Sequence, residues 1–84
     1  MATAKMYTTG WCPDCRRAKA FLLARGVIVE EIDIDESPDD EDLVMCVNDG
    51  RRKVPTFEVN GEYFSCSPCD PYLLAEKFGV KLNP

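Results

Sequence analysis

The fold is decided by the stretch from Thr9 to Ala18, TGWCPDCRRA, which ends a short apolar run and opens a helix. Pro13 suits the first helical position, because that position needs no N–H donor and the proline ring already holds a helical φ. Apolar residues then recur at helical spacing, at Cys15, Ala18 and Leu22. Cys12 therefore falls at the helix N-cap, where the N–H groups of the first turn lack intrahelical partners.

Two cysteines separated by two residues at a helix start are typical of thiol–disulfide exchange. The sulfur of Cys12 can accept hydrogen bonds from the free N–H groups there, and the positive end of the helix dipole favours thiolate over thiol. We therefore predict that Cys12 is the nucleophile of a thiol–disulfide oxidoreductase. Cys15 lies further from water and would attack the mixed disulfide at Cys12, which releases the reduced substrate. Asp14 disfavours a thiolate while Arg16 and Arg17 favour it, so the sequence leaves the reduction potential open.

Length and composition predict one domain over residues 1–84. The chain has 84 residues, 45% of them hydrophobic, which is enough for one compact core. No apolar run is long enough to cross a bilayer, and the first residues lack the apolar region of a signal peptide, so we expect a cytoplasmic protein. The formal charge of −5 argues against nucleic acid or an anionic membrane surface as a partner.

The charges are unevenly distributed along the chain. Nine of the fifteen acidic residues lie between Glu30 and Asp42. The basic residues form two clusters that flank the predicted active-site segments: Arg16, Arg17 and Lys19, and then Arg51, Arg52 and Lys53. These clusters are either solvated faces or a source of positive charge that favours a thiolate and attracts anionic substrates. Arg51 is accordingly a candidate substrate-binding residue.

Helix and strand signals predict an α/β chain with the order β-α-β-α-β-β-α. The predicted strands are residues 3–8, 27–34, 54–59 and 62–65, and the predicted helices are residues 13–25, 38–48 and 71–77. The first two strands should be parallel and joined by a right-handed crossover. Asn60-Gly61 supplies the two φ > 0 residues of a type I′ hairpin turn. Ser37 should cap the second helix, whose inward edge is predicted as Leu43, Cys46 and Val47.

Four of the five cysteines form two Cys-x-x-Cys pairs, too close in sequence to staple distant segments. In a reducing compartment such pairs are redox or metal sites. The second pair, Cys66 and Cys69, has three interpretations: an auxiliary redox pair that exchanges electrons through Cys12, half of a four-thiolate zinc or iron site with Cys12 and Cys15, or packed thiols without chemistry. The metal interpretation makes the chain a metal-binding or delivery module. The chain has no histidine and no glycine-rich phosphate loop.

From Lys5 to Val80 the sequence resembles the glutaredoxin family. The matching positions are Tyr7-Thr8, Cys12-Pro13-x-Cys15, Arg17-Ala18-Lys19, Leu22, Gly26-Val27, Asp33-Ile34-Asp35 and Val54-Pro55, followed by the hairpin and the last helix. The resemblance implies a thioredoxin fold, which is a four-stranded mixed sheet with three helices. It also implies a cis bond between Val54 and Pro55, which would place the Val54 backbone opposite Cys12 to pair with the main chain of a substrate.

The chain departs from the family's pattern where glutathione is held. Thr9 replaces a lysine of glutathione-using members, Asp14 replaces a tyrosine, and the loop from Ser65 to Asp70 replaces Gly-Gly-x-x-Asp, with either Asp70 or Cys69 in the place of the family's aspartate. Trp11 directly before Cys12 is similar to the thioredoxin arrangement, as a substrate platform or a shield for the disulfide. The resemblance thus implies no bound cofactor, disulfide-containing proteins or glutathione mixed disulfides as substrates, and glutathione or a thioredoxin-reductase-type flavoprotein as electron donor.

Overall fold

A computed structural model describes residues 3–66 and 69–82 of the chain. The elements are β1 (Thr3–Thr8), α1 (Pro13–Leu23), β2 (Ile28–Asp33), α2 (Pro38–Val47), β3 (Thr56–Val59), β4 (Glu62–Ser65) and α3 (Pro71–Phe78). Their order confirms the predicted β-α-β-α-β-β-α arrangement. Within the described ranges, no helix is both long and apolar enough to cross a membrane. The middle of the second Cys-x-x-Cys loop, residues 67 and 68, lies outside those ranges.

The four strands form one mixed sheet in the order β2-β1-β3-β4. Strand β1 pairs in parallel with β2 and antiparallel with β3, and β3 pairs antiparallel with β4. With three helices this is the thioredoxin fold that the sequence pattern implies. At the hairpin, Asn60 and Gly61 have φ values of 53° and 83°, as the predicted type I′ turn requires.

Helix α1 buries the predicted stripe of Cys15, Ala18 and Leu22. The helix ends at Leu23, two residues before the predicted end. The chain turns over residues 24–26, where Gly26 takes a left-handed φ of 79° and Val27 N–H bonds back to the Leu22 carbonyl at 3.0 Å.

Aromatic rings fill the part of the core between the hairpin and α3. Phe57 is fully buried. Its ring stacks on Phe64 at 5.3 Å between centroids and meets the edge of Phe78 at 5.5 Å. These contacts hold β3, β4 and α3 together, and β3 follows directly from the Val54-Pro55 segment.

Helix α2 differs from the prediction in which side it buries. Val44 is fully buried, whereas Cys46 is exposed, Val47 is 37% exposed and Leu43 is only partly buried. Because an α-helix turns 100° per residue, Cys46 lies about 200° from Val44 and faces solvent. The predicted inward position of Cys46 is therefore wrong, and so is that of Val47, whose side chain is exposed. Ser37 does stand at the N-cap, but its hydroxyl donates to Asp40 at 2.6 Å and caps no backbone N–H.

A buried polar network fixes the segment before β3. Asn48, at the end of α2, donates from Nδ2 to the Val44 carbonyl at 2.7 Å and to the Thr56 hydroxyl at 3.1 Å. That hydroxyl donates in turn to the Lys53 carbonyl at 2.7 Å. Thr56 is fully buried, so the network holds both ends of residues 53–56 and positions the Val54-Pro55 bond.

Candidate active site

Cys12 occupies the N-cap of α1, as the sequence predicts. Its backbone is extended, with φ −81° and ψ 110°, and Pro13 takes the first helical position. The Cys12 sulfur accepts the N–H of Cys15 at 3.1 Å, while the Cys12 carbonyl accepts the N–H of Arg16 at 3.3 Å. The sulfur thus satisfies one of the free donors of the first helical turn.

The Val54-Pro55 segment lies against this cysteine. Its peptide bond is cis, as the family resemblance implies. The Cys12 thiol donates to the Val54 carbonyl at 3.8 Å between sulfur and oxygen. Val54 and Pro55 are both buried. The fold therefore brings together three of the predicted site residues, although they are more than forty positions apart in sequence.

Both cysteines of the first pair are buried. Cys12 is 4% exposed and Cys15 is 3% exposed, and both are free thiols. Burial and a hydrogen bond with the Cys12 thiol raise the pKa of Cys15 to about 12. Hydrogen bonds with Thr8 and Thr9 act in the opposite direction but are smaller influences. Cys15 therefore stays protonated at neutral pH, as expected for a thiol that acts only after the first exchange step.

The two cysteines of the second pair differ in exposure. Cys66 is 1% exposed, whereas Cys69 is partly exposed. The Cys66 sulfur accepts the N–H of Asp70 at 3.2 Å and donates to the carbonyl of the same residue at 3.5 Å. Burial raises the pKa of Cys66, and a hydrogen bond to the Cys69 thiol lowers it. Burial also raises the pKa of Cys69, to about 11.

Asp14, in the first turn of α1, acts electrostatically on the second pair. Its carboxylate forms an ion pair with Arg17 at 3.1 Å. Burial is the largest influence on the pKa of Cys66 and of Cys69, and the Asp14 carboxylate raises both pKa values further, while Arg17 lowers that of Cys69. The second pair thus lies within the electrostatic reach of the helix whose N-cap is Cys12.

The carbonyls of residues 54 and 55 contact one cysteine from each pair. The Val54 carbonyl meets the Cys12 sulfur, and the Pro55 carbonyl accepts the N–H of Cys66 at 2.9 Å. The two pairs thus flank the same short segment. Nevertheless, over residues 3–66 and 69–82 the structure contains no group of three or more Cys, Asp or Glu side chains arranged to hold a metal ion. The four-thiolate hypothesis gains no support from this geometry.

Three of the six basic residues in the two clusters, Arg17, Lys19 and Arg52, form ion pairs. Arg52 pairs with Asp35 and, at 2.6 Å, with Glu41, and Lys19 pairs with Glu31 at 2.5 Å. Arg51 is exposed and forms no ion pair with any residue that the structure describes. Trp11 stands next to Cys12 with 65% of its surface exposed, so both predicted rim residues are accessible.

A polar cleft of about 380 Å³ opens beside the first pair, between α1 and β2. It is lined by Thr8, Thr9, Gly10, Cys12, Cys15, Arg16, Lys19, Glu31 and Asp33. Thr9 is 3% exposed, and its hydroxyl oxygen has no hydrogen-bond partner in the described part of the chain. Buried hydroxyls are normally satisfied by protein or water, and a cleft of this size admits water. The cleft therefore gives the buried thiol of Cys15 a polar route to solvent.

Comparison with known proteins places this site in a family. The Glutaredoxin family model matches residues 4–64. Glutaredoxin 3 of Escherichia coli is 35% identical over 81 residues, which cover 95% of this chain and 94% of the relative. Mycoredoxin 1 of Corynebacterium glutamicum is 32% identical over 79 residues, which cover 90% and 94%. The crystal structure of a thioredoxin-like protein matches with a TM-score of 0.78 and 22% identity, over 96% of this chain and 100% of that one, and supports the fold. With a family model that spans most of its length and relatives aligned almost end to end, the chain belongs to the glutaredoxin family.

Proposed function

We propose that this chain is a dithiol oxidoreductase that reduces protein disulfides and glutathione mixed disulfides, with Cys12 as nucleophile and Cys15 as resolving thiol. The observation that carries the proposal is the N-cap contact, in which the Cys12 sulfur accepts the Cys15 N–H at 3.1 Å. Such a contact stabilises a thiolate more than a thiol, because hydrogen bonds to a charged acceptor are stronger. The proposal includes a reducing, cytoplasmic environment, in which paired cysteines persist as thiols.

The reaction proceeds in two exchanges. The Cys12 thiolate attacks one sulfur of the substrate disulfide and forms a mixed disulfide, and the other substrate sulfur leaves as a thiolate that takes up a proton. Cys15 then loses its proton and attacks the Cys12 sulfur. The bond between Cys12 and the substrate breaks, the second substrate thiol departs, and the Cys12–Cys15 disulfide remains. Two electrons have passed to the substrate, and a donor must return them.

The substrate is held at the rim formed by Val54, Pro55, Trp11 and Arg51. An extended substrate beside Cys12 would pair with the main chain of Val54, whose carbonyl lies 3.8 Å from the Cys12 sulfur. The exposed ring of Trp11 provides an apolar contact, and Arg51 provides a positive charge for anionic substrates. No bound cofactor is needed for this chemistry.

Of the two electron donors, the local charges favour a thioredoxin-reductase-type flavoprotein over glutathione. The side chain of Thr9, where glutathione-using members carry a lysine, is uncharged and buried. Asp14 pairs with Arg17 and so neutralises a positive charge that could attract an anionic tripeptide.

A donor comparison tests the proposed function. We expect disulfide reduction with NADPH and a thioredoxin reductase to exceed that with glutathione and glutathione reductase, measured as NADPH consumption with a protein disulfide as substrate. Faster reduction with glutathione would reverse the donor assignment. Failure of both donors to support turnover, with folded protein, would contradict the oxidoreductase function itself.

We further propose that Cys66 and Cys69 are an auxiliary redox pair. Burial is the main influence on the pKa of both thiols, and each thiol also shifts the pKa of the other. Two cysteines that form a disulfide must lie close together. The Cys66 N–H also donates to the Pro55 carbonyl, and the neighbouring Val54 carbonyl contacts the Cys12 sulfur.

The oxidised chain should therefore contain two disulfides, detected by differential alkylation and mass spectrometry. The double variant Cys66→Ser/Cys69→Ser should slow turnover with at least one donor, while Cys46→Ser, which removes an exposed thiol on α2, should leave the rates unchanged. Unchanged rates of the double variant with both donors would mean that the two thiols only pack. Native mass spectrometry that finds one zinc or iron per chain, lost when either pair is mutated, would replace the redox role with metal binding.

A further inference from the structure

The two cysteines of the second pair differ in how firmly they are held. The Cys66 sulfur makes two hydrogen bonds to the backbone of Asp70, and the Cys66 N–H bonds to Pro55. Cys66 is almost completely buried. The Cys69 sulfur has no hydrogen bond to the backbone over residues 3–66 and 69–82 and is partly exposed. A fixed, buried thiol therefore stands behind a freer and more accessible one.

The first pair differs by position along α1 and not by burial, since Cys12 and Cys15 are 4% and 3% exposed. Cys12 is the N-cap, and Cys15 lies three residues further along, on the apolar stripe. In thiol–disulfide exchange, access decides which thiol attacks. In the second pair that thiol is Cys69, because it is the more exposed of the two, and Cys66 then takes the resolving role of Cys15.

Charged side chains of α1 act on Cys69. Besides burial, Asp14 raises its pKa and Arg17 lowers it. Asp14 is two residues from Cys12 along the first turn. Helix α1 also packs against α3, whose N-cap Asp70 directly follows Cys69.

We propose that electrons pass between the two pairs through a transient disulfide between Cys12 and Cys69, with Cys66 as the resolving thiol of the second pair. The inference rests on the proposed redox function of Cys12. It makes Cys69 the thiol that exchanges with Cys12 and Cys66 the thiol that resolves the transient disulfide.

The exchange needs no further reactant. Starting from the Cys12–Cys15 disulfide, the Cys69 thiolate attacks the Cys12 sulfur, and Cys15 leaves and takes up a proton. Cys66 then loses its proton and attacks the Cys69 sulfur, which forms the Cys66–Cys69 disulfide and releases the Cys12 thiolate. The first pair is reduced by two electrons and the second is oxidised by two. The same three disulfides form and break in reverse order when electrons pass from the first pair to the second.

The charged and titratable groups around Cys69 make the exchange depend on pH. Cys66, Asp14 and Asp70 raise its pKa in addition to burial, and Arg17 lowers it. Because only the thiolate attacks and the pKa of Cys69 is about 11, the thiolate fraction rises about tenfold per pH unit below that value. Exchange should accordingly be faster at pH 9 than at pH 7.

Trapping of the transient disulfide tests the assignment. All variants carry Cys46→Ser to remove the exposed fifth thiol. Cys15→Ser/Cys66→Ser leaves only Cys12 and Cys69, and the matched control Cys15→Ser/Cys69→Ser leaves only Cys12 and Cys66. After mild oxidation with diamide, alkylation and digestion, peptide mass spectrometry should find the Cys12–Cys69 cross-link at least about ten times more abundant than the Cys12–Cys66 cross-link. Circular dichroism and thermal melting establish that both variants are folded.

Two results would overturn the inference. A Cys12–Cys66 cross-link that equals or exceeds the Cys12–Cys69 cross-link would reverse the roles of the second pair, and absence of both cross-links in folded variants would exclude direct exchange. Either result leaves the proposed function intact if the wild-type chain still reduces substrate disulfides. An efficient Cys12–Cys69 cross-link in a chain that reduces no substrate would instead contradict the proposed function.

Discussion

Replacement of Cys12 by serine should abolish disulfide reduction, with a loss in kcat/KM of at least about three orders of magnitude, or roughly 4 kcal/mol of transition-state stabilisation. Serine is a preferred N-cap residue and can accept the Cys15 N–H in place of the sulfur. The helix start should therefore survive the substitution. The hydroxyl, however, is not ionised near neutral pH and cannot form the mixed disulfide. NADPH consumption in the coupled assay measures the loss.

The variant Cys15→Ser is the informative comparison. It retains the attacking sulfur, so in a background that also lacks Cys66 and Cys69 it should release one thiol from a disulfide substrate in a single turnover and then stop. Cys46→Ser, which replaces an exposed thiol on α2, should match the wild type both in the first thiol release and in the steady-state rate. An active Cys12→Ser chain beside an inactive Cys15→Ser chain would reverse the two roles.

The largest effect on stability is expected for Phe57→Ala. Phe57 is fully buried, and its ring contacts both Phe64 and Phe78. Removal of such a ring costs about 3–5 kcal/mol, since transfer free energy is lost and a cavity remains. A chain of 84 residues has a total free energy of unfolding of roughly 4–13 kcal/mol. Equilibrium unfolding of the reduced protein in urea should show the loss as a lower midpoint.

Tyr63→Ala is the matched control on the same hairpin. Tyr63 lies on β4 and is 40% exposed, so its removal should cost less than about 1 kcal/mol. Equal losses for the two variants would contradict the central place of Phe57 in the core.

The order of the elements could be predicted from the sequence because the signals that start and stop them are local. Pro13 begins α1, Gly26 and Gly79 follow helix ends, and Asn60-Gly61 forms the hairpin turn. The orientation of α2 could not be predicted in the same way. Leu43, Val44 and Val47 are all apolar, and only tertiary packing selects Val44 as the buried residue.

The position of Cys12 could also be predicted, because an N-cap depends on the next few residues alone. Contacts across the sheet could not be predicted, because they join residues that are distant in sequence. The sequence places Glu31 in an acidic region and Asp33 at a position that matches the family, but it does not predict that both line the cleft beside Cys15. A signal was available in the parallel pairing of β1 with β2, which puts Asp33 opposite Thr8. Likewise, the ion pairs of Arg52 join segments that are distant in sequence.

The central claim is that the sulfur at the N-cap of α1 forms the covalent intermediate. The most direct measurement is to trap that intermediate in the Cys15→Ser/Cys69→Ser variant, which lacks both thiols that attack the Cys12 sulfur, and to locate the linked cysteine by peptide mass spectrometry after reaction with a protein disulfide substrate. The substrate should be attached to Cys12. Attachment to Cys46 or Cys66 in its place, or no mixed disulfide at all in the folded variant, would contradict the claim.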